Sequence, residues 1–517
     1  MTTNPDGYIT DVPYIQGFYS HLAPNGIRHA LTVNRVIPPA IKTGFRYLEL
    51  GCGLGRSLTV LAAAHPEGQF VGVDVNPSHT AIVQEDITAG RLTNASIITS
   101  DFSSLPSEIG AFDFIALHGV YSWVAPEVRK HIRAVVAKHL KPGGAFVVSY
   151  NAMPGWAHLL PIRTIIRQYA ALRTGDSITR VRDAVSYLAF LRDKKSRYFS
   201  DNPKASAFID MLLKSDPHYL AHEYLNEHWE AAYFADVAEF FAPAGVEFVA
   251  SLPLFTNFLD LSAPPEFRNL FRSASNRTIT ETHKDFCANT IFRWDIYAKS
   301  PRRMMSLGDR LQYADDIFFS VARTDTSLPI YVELGIITSS ISGPLYRTLF
   351  DLIGTKGLRL SQIIGAAELK SFVAEEITNA VDIAVALGVL AATPQQFVEA
   401  SQATALAKRI QGDLNIRLLQ QAIAARQATT LASPITGSGV IVEDLHALFL
   451  AELVTGGGDN IVERIAKRLA EAKAHLTHNG RSLTDEADSK LFLEEMRTSF
   501  FTVVLPRLEA TGIVIDA

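Results

Sequence analysis

Cysteine is nearly absent from this chain. There are two in 517 residues, Cys52 and Cys287, and no CxxC pair. A disulfide framework is excluded, and a reducing compartment fits. Long apolar runs are missing as well. The most apolar stretches, such as VDIAVALGVLAA from Val381, are short and carry charge, so no membrane insertion is expected. The opening MTTNPDGYITDVPY is polar, with no apolar core of signal-peptide type, and a cytoplasmic location is expected. Positive charge is not in excess either. The formal net charge is −5, which argues against nucleic acid as a partner, because phosphate neutralisation needs a basic surface. Repeats and low-complexity tracts are also lacking. What remains is an ordinary globular composition, 48% apolar and 20% charged. It is spread over a chain too long for one compact core, so two or three domains are expected.

Between Phe45 and Ser149 short apolar strands alternate with helical stretches. FRYLEL, QFVGVDV, ASIITS, FDFIALHG and GAFVVSY are the strands, and GRSLTVLAAAHP and PEVRKHIRAVVAKHLKP are among the helices. This alternation predicts a parallel, doubly wound α/β sheet buried on both faces. From Trp156 to about residue 215 the pattern is helical, with eleven Lys/Arg against five Asp/Glu. That region is either a solvated helical surface or a basic lid, carrying Arg163, Arg167 and Arg173, that recruits an acidic acceptor. YFADVAEFFAPAGVEFVASLPL and NTIFRWDIYAK then supply two more strands, the last returning antiparallel. The expected organisation is a seven-stranded domain over 1–299, with a helical insertion at about 156–215 and a further segment at 216–299. A winged-helix-like domain follows over 300–395, and a mostly helical domain over 396–517. The third helix of the winged-helix-like part carries Glu375, Glu376 and Asp382, which disfavours DNA.

The chemistry concentrates in YLELGCGLGRS, Tyr47 to Ser57. A strand, a glycine loop and a helix start form a nucleotide cradle. A dinucleotide fold would place its third glycine at position 56, which is Arg56. The glycines here are Gly51, Gly53 and Gly55, and Glu49 precedes them. Asp74 ends the second strand, where a carboxylate can take both ribose hydroxyls. Asp101 follows the third, placed to accept from an adenine amino group while Phe102 packs on the ring. His118 follows the fourth.

LELGCGLGRS, FVGVDVNP, SDFSSLP, FDFIALHGVYSWV and LKPGGAFVVSY resemble the successive motifs of class I S-adenosylmethionine-dependent methyltransferases. The resemblance implies a Rossmann-like seven-stranded methyltransferase sheet and S-adenosyl-L-methionine as cofactor. Glu49 would contact the sulfonium or amino-acid end, the three glycines would let the amino-acid part pass, Asp74 would hold the ribose, and Asp101 with Phe102 the adenine. A narrower resemblance runs through DVPYIQGFYSHLAP, HGVYSWVAPEVR, SYNAMPGW, HEYLNEHWEAAYF and LASPITGSGV. These are similar to bacterial methyltransferases that carry a methyltransferase regulatory domain, a group that includes rickettsial protein lysine methyltransferases acting on an outer-membrane protein. A protein lysine acceptor is what that resemblance implies.

Methyl transfer to an amine needs alignment more than acid–base machinery. Tyr121 and Trp123, just after the fourth strand, are candidates for the acceptor wall or for ordinary core packing. His118 is a candidate base or a hydrogen-bond partner for the cofactor. Tyr150, Asn151 and Trp156 follow the fifth strand as further acceptor candidates. Tyr14 and Tyr19 belong to an N-terminal arm that is either a lid or a structural staple. In HEYLNEH an HExxH zinc site would need histidine at position 226, which is Asn226, so no metal is expected. Glu223 lines the acceptor cleft or lies on a helix surface. The competing functions are a protein-lysine methyltransferase, a methyltransferase for a glycan or small metabolite, and a non-catalytic cofactor-binding scaffold. The large C-terminal half favours a macromolecular acceptor, or serves as a homodimerisation unit.

Overall fold

The computed structural model describes residues 9, 11, 16–323, 325–398, 407–472, 474–478, 481–483 and 485–517. Seven strands form one sheet: β1 (Phe45–Leu50), β2 (Gly68–Asp74), β3 (Ala95–Thr99), β4 (Phe112–Leu117), β5 (Leu140–Asn151), β6 (Val246–Leu252) and β7 (Phe292–Lys299). Their order is β3-β2-β1-β4-β5-β7-β6. β1 to β5 are parallel, and β7 runs antiparallel between β5 and β6. The period-2 alternation of a strand sorts its side chains onto two cores. Leu48, Leu50, Ile115, Leu117, Phe146 and Val148 face one side. Tyr47, Phe70, Phe114, Ala116 and Val147 face the other.

Among the described residues up to 225 the helices are α1 (Pro24–Val33), α2 (Arg56–Ala64), α3 (Pro77–Ala89), α4 (Pro126–His139), α5 (Leu160–Ala171), α6 (Ser177–Asp193), α7 (Arg197–Asp201), α8 (Pro203–Lys214) and α9 (Pro217–Tyr224), and Phe234–Phe241, Leu259–Ser262, Pro265–Ser273 and Arg277–Ala288 follow before β7. Proline at the first turn starts several of them, where its missing N–H costs nothing. Helices α5 to α9 build a core of their own, including Trp156, Ile162, Ile166, Val181, Leu188, Leu212 and Tyr224. They cover the stretch expected as a helical insertion at about 156–215, and α9 carries the same core on to Tyr224.

Beyond β7, a three-stranded sheet (Leu358–Arg359, Phe318–Val321, Leu390–Thr393) packs with helices Pro344–Ile353, Leu360–Ile364 and Ala374–Ala386. Asp382 on the last of these helices is buried, paired with Arg310 and 3.7 Å from His29 of α1. The C-terminal region is largely helical but also contains two-stranded ladders absent from the sequence reading. The hairpin Thr429–Ser433/Ser438–Val442 lies against α2, and Val60 and Ala64 of α2 belong to the C-terminal core. His65 Nε2 is 2.9 Å from the Gly437 carbonyl. Arg417 donates to Asp86 at 2.6 Å and to Glu85 at 2.8 Å on α3. The first α/β units and the C-terminal region therefore share one hydrophobic core.

Candidate active site

The loop after β1 turns on residues of left-handed backbone. Gly51 has φ +69° and Gly55 φ +65°, a region costly for any residue with a Cβ. Space forbids a side chain at both. A Cβ at Gly51 would sit 2.4 Å from Val120 Cγ2, and one at Gly55 2.5 Å from Val83 Cγ2. Gly55 caps α2, so the loop delivers the chain into a helix N-terminus. Asp74 at the end of β2 braces the loop from the side. Its Oδ2 accepts from Gly53 N at 2.8 Å and its Oδ1 from Asn76 N at 2.9 Å, while His79 Nδ1 lies 3.3 Å away.

These residues open onto a cavity of about 670 Å³. Glu49, Gly51, Gly53, Gly55, Asp74, Asp101, Phe102 and His118 all line it. Glu49 is an acidic group on this wall that the described residues leave incompletely provided for. It is 5% exposed, and its Oε2 finds no hydrogen-bond partner among the described residues. Burial, then the nearby Asp74 charge, pushes its carboxyl up to about 8. An orphaned carboxylate on a cavity wall is costly unless a cationic ligand completes it. Asp101 is exposed and held by its own turn: Oδ1 accepts from Ser103 N at 2.7 Å and Ser104 N at 3.0 Å. The Ser103 hydroxyl bond heads the contributions that hold its carboxyl below the usual range. The donor set fits a cofactor with an ammonium end, a diol and an aromatic base.

The acceptor candidates divide. Trp123 and Glu223 line the same cavity, as does Tyr19. Tyr19 belongs to an arm that crosses the site: Ser177 N donates to Asp11 at 3.0 Å, Arg56 donates to Gln16 at 2.6 Å, and Tyr19 N donates to Ser57 Oγ at 3.1 Å. Tyr14 lies outside the described residues. The Tyr121 ring is a correction: it is packed in the core against Tyr150, Phe240 and Phe241, under the Arg129 guanidinium. Tyr150 is wholly buried and donates to Asp295 at 2.6 Å, and Trp156 packs edge-on to Trp229 inside the insertion. Neither lines the cavity. Asn151 is buried and reaches it only through Glu223, donating to that carboxylate at 3.3 Å. His118 stacks on Trp294 at 4.2 Å, packs against Tyr19 at 3.8 Å and is 2.7 Å from Ser149 Oγ. Burial drives its pKa down to about 3, too low to take a proton from an ammonium near neutrality, so the base role does not suit it. Arg163 is also corrected as a steering charge. It is 9% exposed, donates to the Asn226 carbonyl at 2.7 Å and lies over Trp229. Ser149 and Trp294 had no distinguishing signal in the sequence, and His222 and Asn226 stood out only in the rejected zinc motif.

A seven-stranded sheet of this order, with a glycine loop after β1 and acidic groups after β2 and β3, defines an S-adenosylmethionine-dependent methyltransferase. The methyltransferase domain family matches residues 48–144, and the predicted methyltransferase regulatory domain family matches residues 216–299. An uncharacterized protein of Synechocystis sp. is 26% identical over 517 residues, covering 99% of this chain and 100% of its own. One from Rickettsia prowazekii is 30% identical over 240 residues, 46% of this chain and 94% of its own. The structure of PKMT2 from Rickettsia typhi in complex with AdoHcy superposes with a TM-score of 0.72 at 19% identity, over 97% of this chain and 100% of that one. The chain belongs to the methyltransferases that carry a methyltransferase regulatory domain.

Proposed function

We propose that the protein N-methylates lysine side chains of a protein acceptor. One observation carries this reading: the cavity runs from the glycine loop to a half-buried indole, Trp123, and a buried carboxylate, Glu223. Indole and carboxylate are the groups that receive a lysine ammonium, by cation–π attraction and by charge. The cofactor is S-adenosyl-L-methionine, which when bound supplies an electrophilic methyl group. Glu49 is suited to its ammonium or sulfonium end, Asp74 to the ribose hydroxyls, and Asp101 with Phe102 to the adenine. His118, neutral and held by stacking, serves to shape the wall.

The deciding experiment is transfer of tritium from labelled S-adenosylmethionine into a host-cell lysate, resolved by size, followed by mass spectrometry of the labelled residue. Label in protein bands on lysine supports the proposal. Label only in glycans or small metabolites replaces the acceptor, and absence of any label with intact cofactor binding leaves the scaffold reading.

A further inference from the structure

Glu223 sits on α9, inside the segment matched by the regulatory-domain family. It is 6% exposed, yet it lines the same cavity as the glycine loop, together with His222 and Asn226. Its Oε1 is fixed by two donors from different parts of the chain, Asn151 Nδ2 at 3.3 Å from the end of β5 and Trp229 Nε1 at 3.1 Å. From the juxtaposition of this clamped, cavity-lining carboxylate with the indole of Trp123, we propose that Glu223 is the catalytic base that takes the proton from the acceptor ammonium. The regulatory-type segment would thus contribute directly to the chemistry. The inference rests on the amine-acceptor reading above.

A lysine side chain has a pKa near ~10.4 and arrives protonated. Its nitrogen has no lone pair until one N–H bond breaks. In the proposed step that proton moves to the Glu223 carboxylate, the electron pair stays on nitrogen for methylation, and the carboxyl later returns its proton to solvent. Burial pushes the Glu223 carboxyl up to about 7, against the opposing pull of the Trp229, Asn151 and Trp123 donors and of the Arg163 charge. The charged and titratable groups around it are Arg163 from α5, and Tyr219, His222 and Tyr224 from α9 itself. A base of that strength is half ionised near neutrality, the best compromise between availability and proton affinity.

The test compares wild type, Glu223→Gln and Glu223→Asp, using a labelled lysine acceptor. Calorimetry with S-adenosylhomocysteine first checks that each variant keeps the cofactor site. Turnover of Glu223→Gln should fall by roughly two orders of magnitude or more with little change in cofactor affinity, and Glu223→Asp should recover part of it. The wild-type rate should lose an acid limb near pH 7 in the Gln variant. Independently of turnover, wild-type minus Glu223→Gln infrared difference spectra should show one carboxyl titrating near pH 7. Turnover of the Gln variant within about threefold of wild type overturns the base. So does a large loss with the acid limb intact, which would make Glu223 a positioning residue. If wild type itself transfers no methyl to lysine while the carboxyl titrates as expected, the acceptor reading fails instead.

Discussion

The amide of Gly53 donates to the Asp74 carboxylate at 2.8 Å, joining the glycine loop to the end of the neighbouring strand. A carboxylate offers roughly four acceptor positions, and backbone N–H groups occupy two of them here. The remaining ones suit a diol. Asp74→Ala removes both functions, so S-adenosylhomocysteine should bind ten- to a hundredfold more weakly, about 1.5–3 kcal/mol. Asp74→Asn keeps one oxygen for Gly53 and should fall between. Unchanged affinity by calorimetry would remove Asp74 from the ribose.

Glu49 makes cofactor binding depend on pH. Its folded pKa of about 8 stands above the ordinary 4.5, so the free protein holds the proton at pH 7. The ammonium of S-adenosylhomocysteine favours the ionised form, and binding at pH 7 should release up to one proton. Calorimetry in buffers of different ionisation enthalpy measures this, and Glu49→Gln should abolish it. The free protein should also lose stability relative to Glu49→Gln as pH rises from 4.5 to about 8, because there the unfolded chain ionises and the folded one does not. The slope approaches roughly 1.4 kcal/mol per pH unit. A pH-independent difference between the two proteins in urea melts would contradict the assignment.

The strands and their glycine loop were legible in the sequence because strand, turn and helix start are local, and their spacing is set by the backbone. The cofactor-side candidates were read from that same local pattern, and they line one cavity. The far wall of the cavity was not legible, because it depends on where side chains point and on distant partners. Tyr121 and Trp123 are two residues apart, yet one ring enters the core and the other the cavity. Glu223 meets Asn151 across 72 residues. The positive charge of the insertion suggested steering, but composition does not show that Arg163 is buried against Trp229.

The grouping of residues 1–299 as one domain is a statement of topology, and we propose that this part does not stand alone. A chain ending at Lys299 would bare Val60 and Ala64, which the C-terminal core covers. It would also strip Arg417 from the buried Asp86 and Gln421 from Arg56. Such a chain should aggregate or bind S-adenosylhomocysteine clearly more weakly than the full protein, since Arg56 opens the helix that follows the glycine loop. Gel filtration and calorimetry on the two chains decide it. A monodisperse fragment with full affinity would show the C-terminal region to be dispensable for the cofactor site.

Tyr121 and Trp123 should separate stability from turnover. The Tyr121 ring packs with Tyr150, Phe240 and Phe241 and carries the Arg129 guanidinium at 4.7 Å. Tyr121→Ala should open a cavity in that core and cost about 3–5 kcal/mol of stability. Trp123 is half-buried on the cavity wall that Glu223 also lines. Trp123→Ala removes little core but takes away a wall that aligns the amine, so turnover should fall by about 1–3 kcal/mol in the transition state with cofactor affinity nearly kept. Thermal melts and single-turnover rates on both variants distinguish the two effects. Equal loss of stability from Trp123→Ala would move that indole into the core, and loss of cofactor binding would move it to the cofactor end of the cavity.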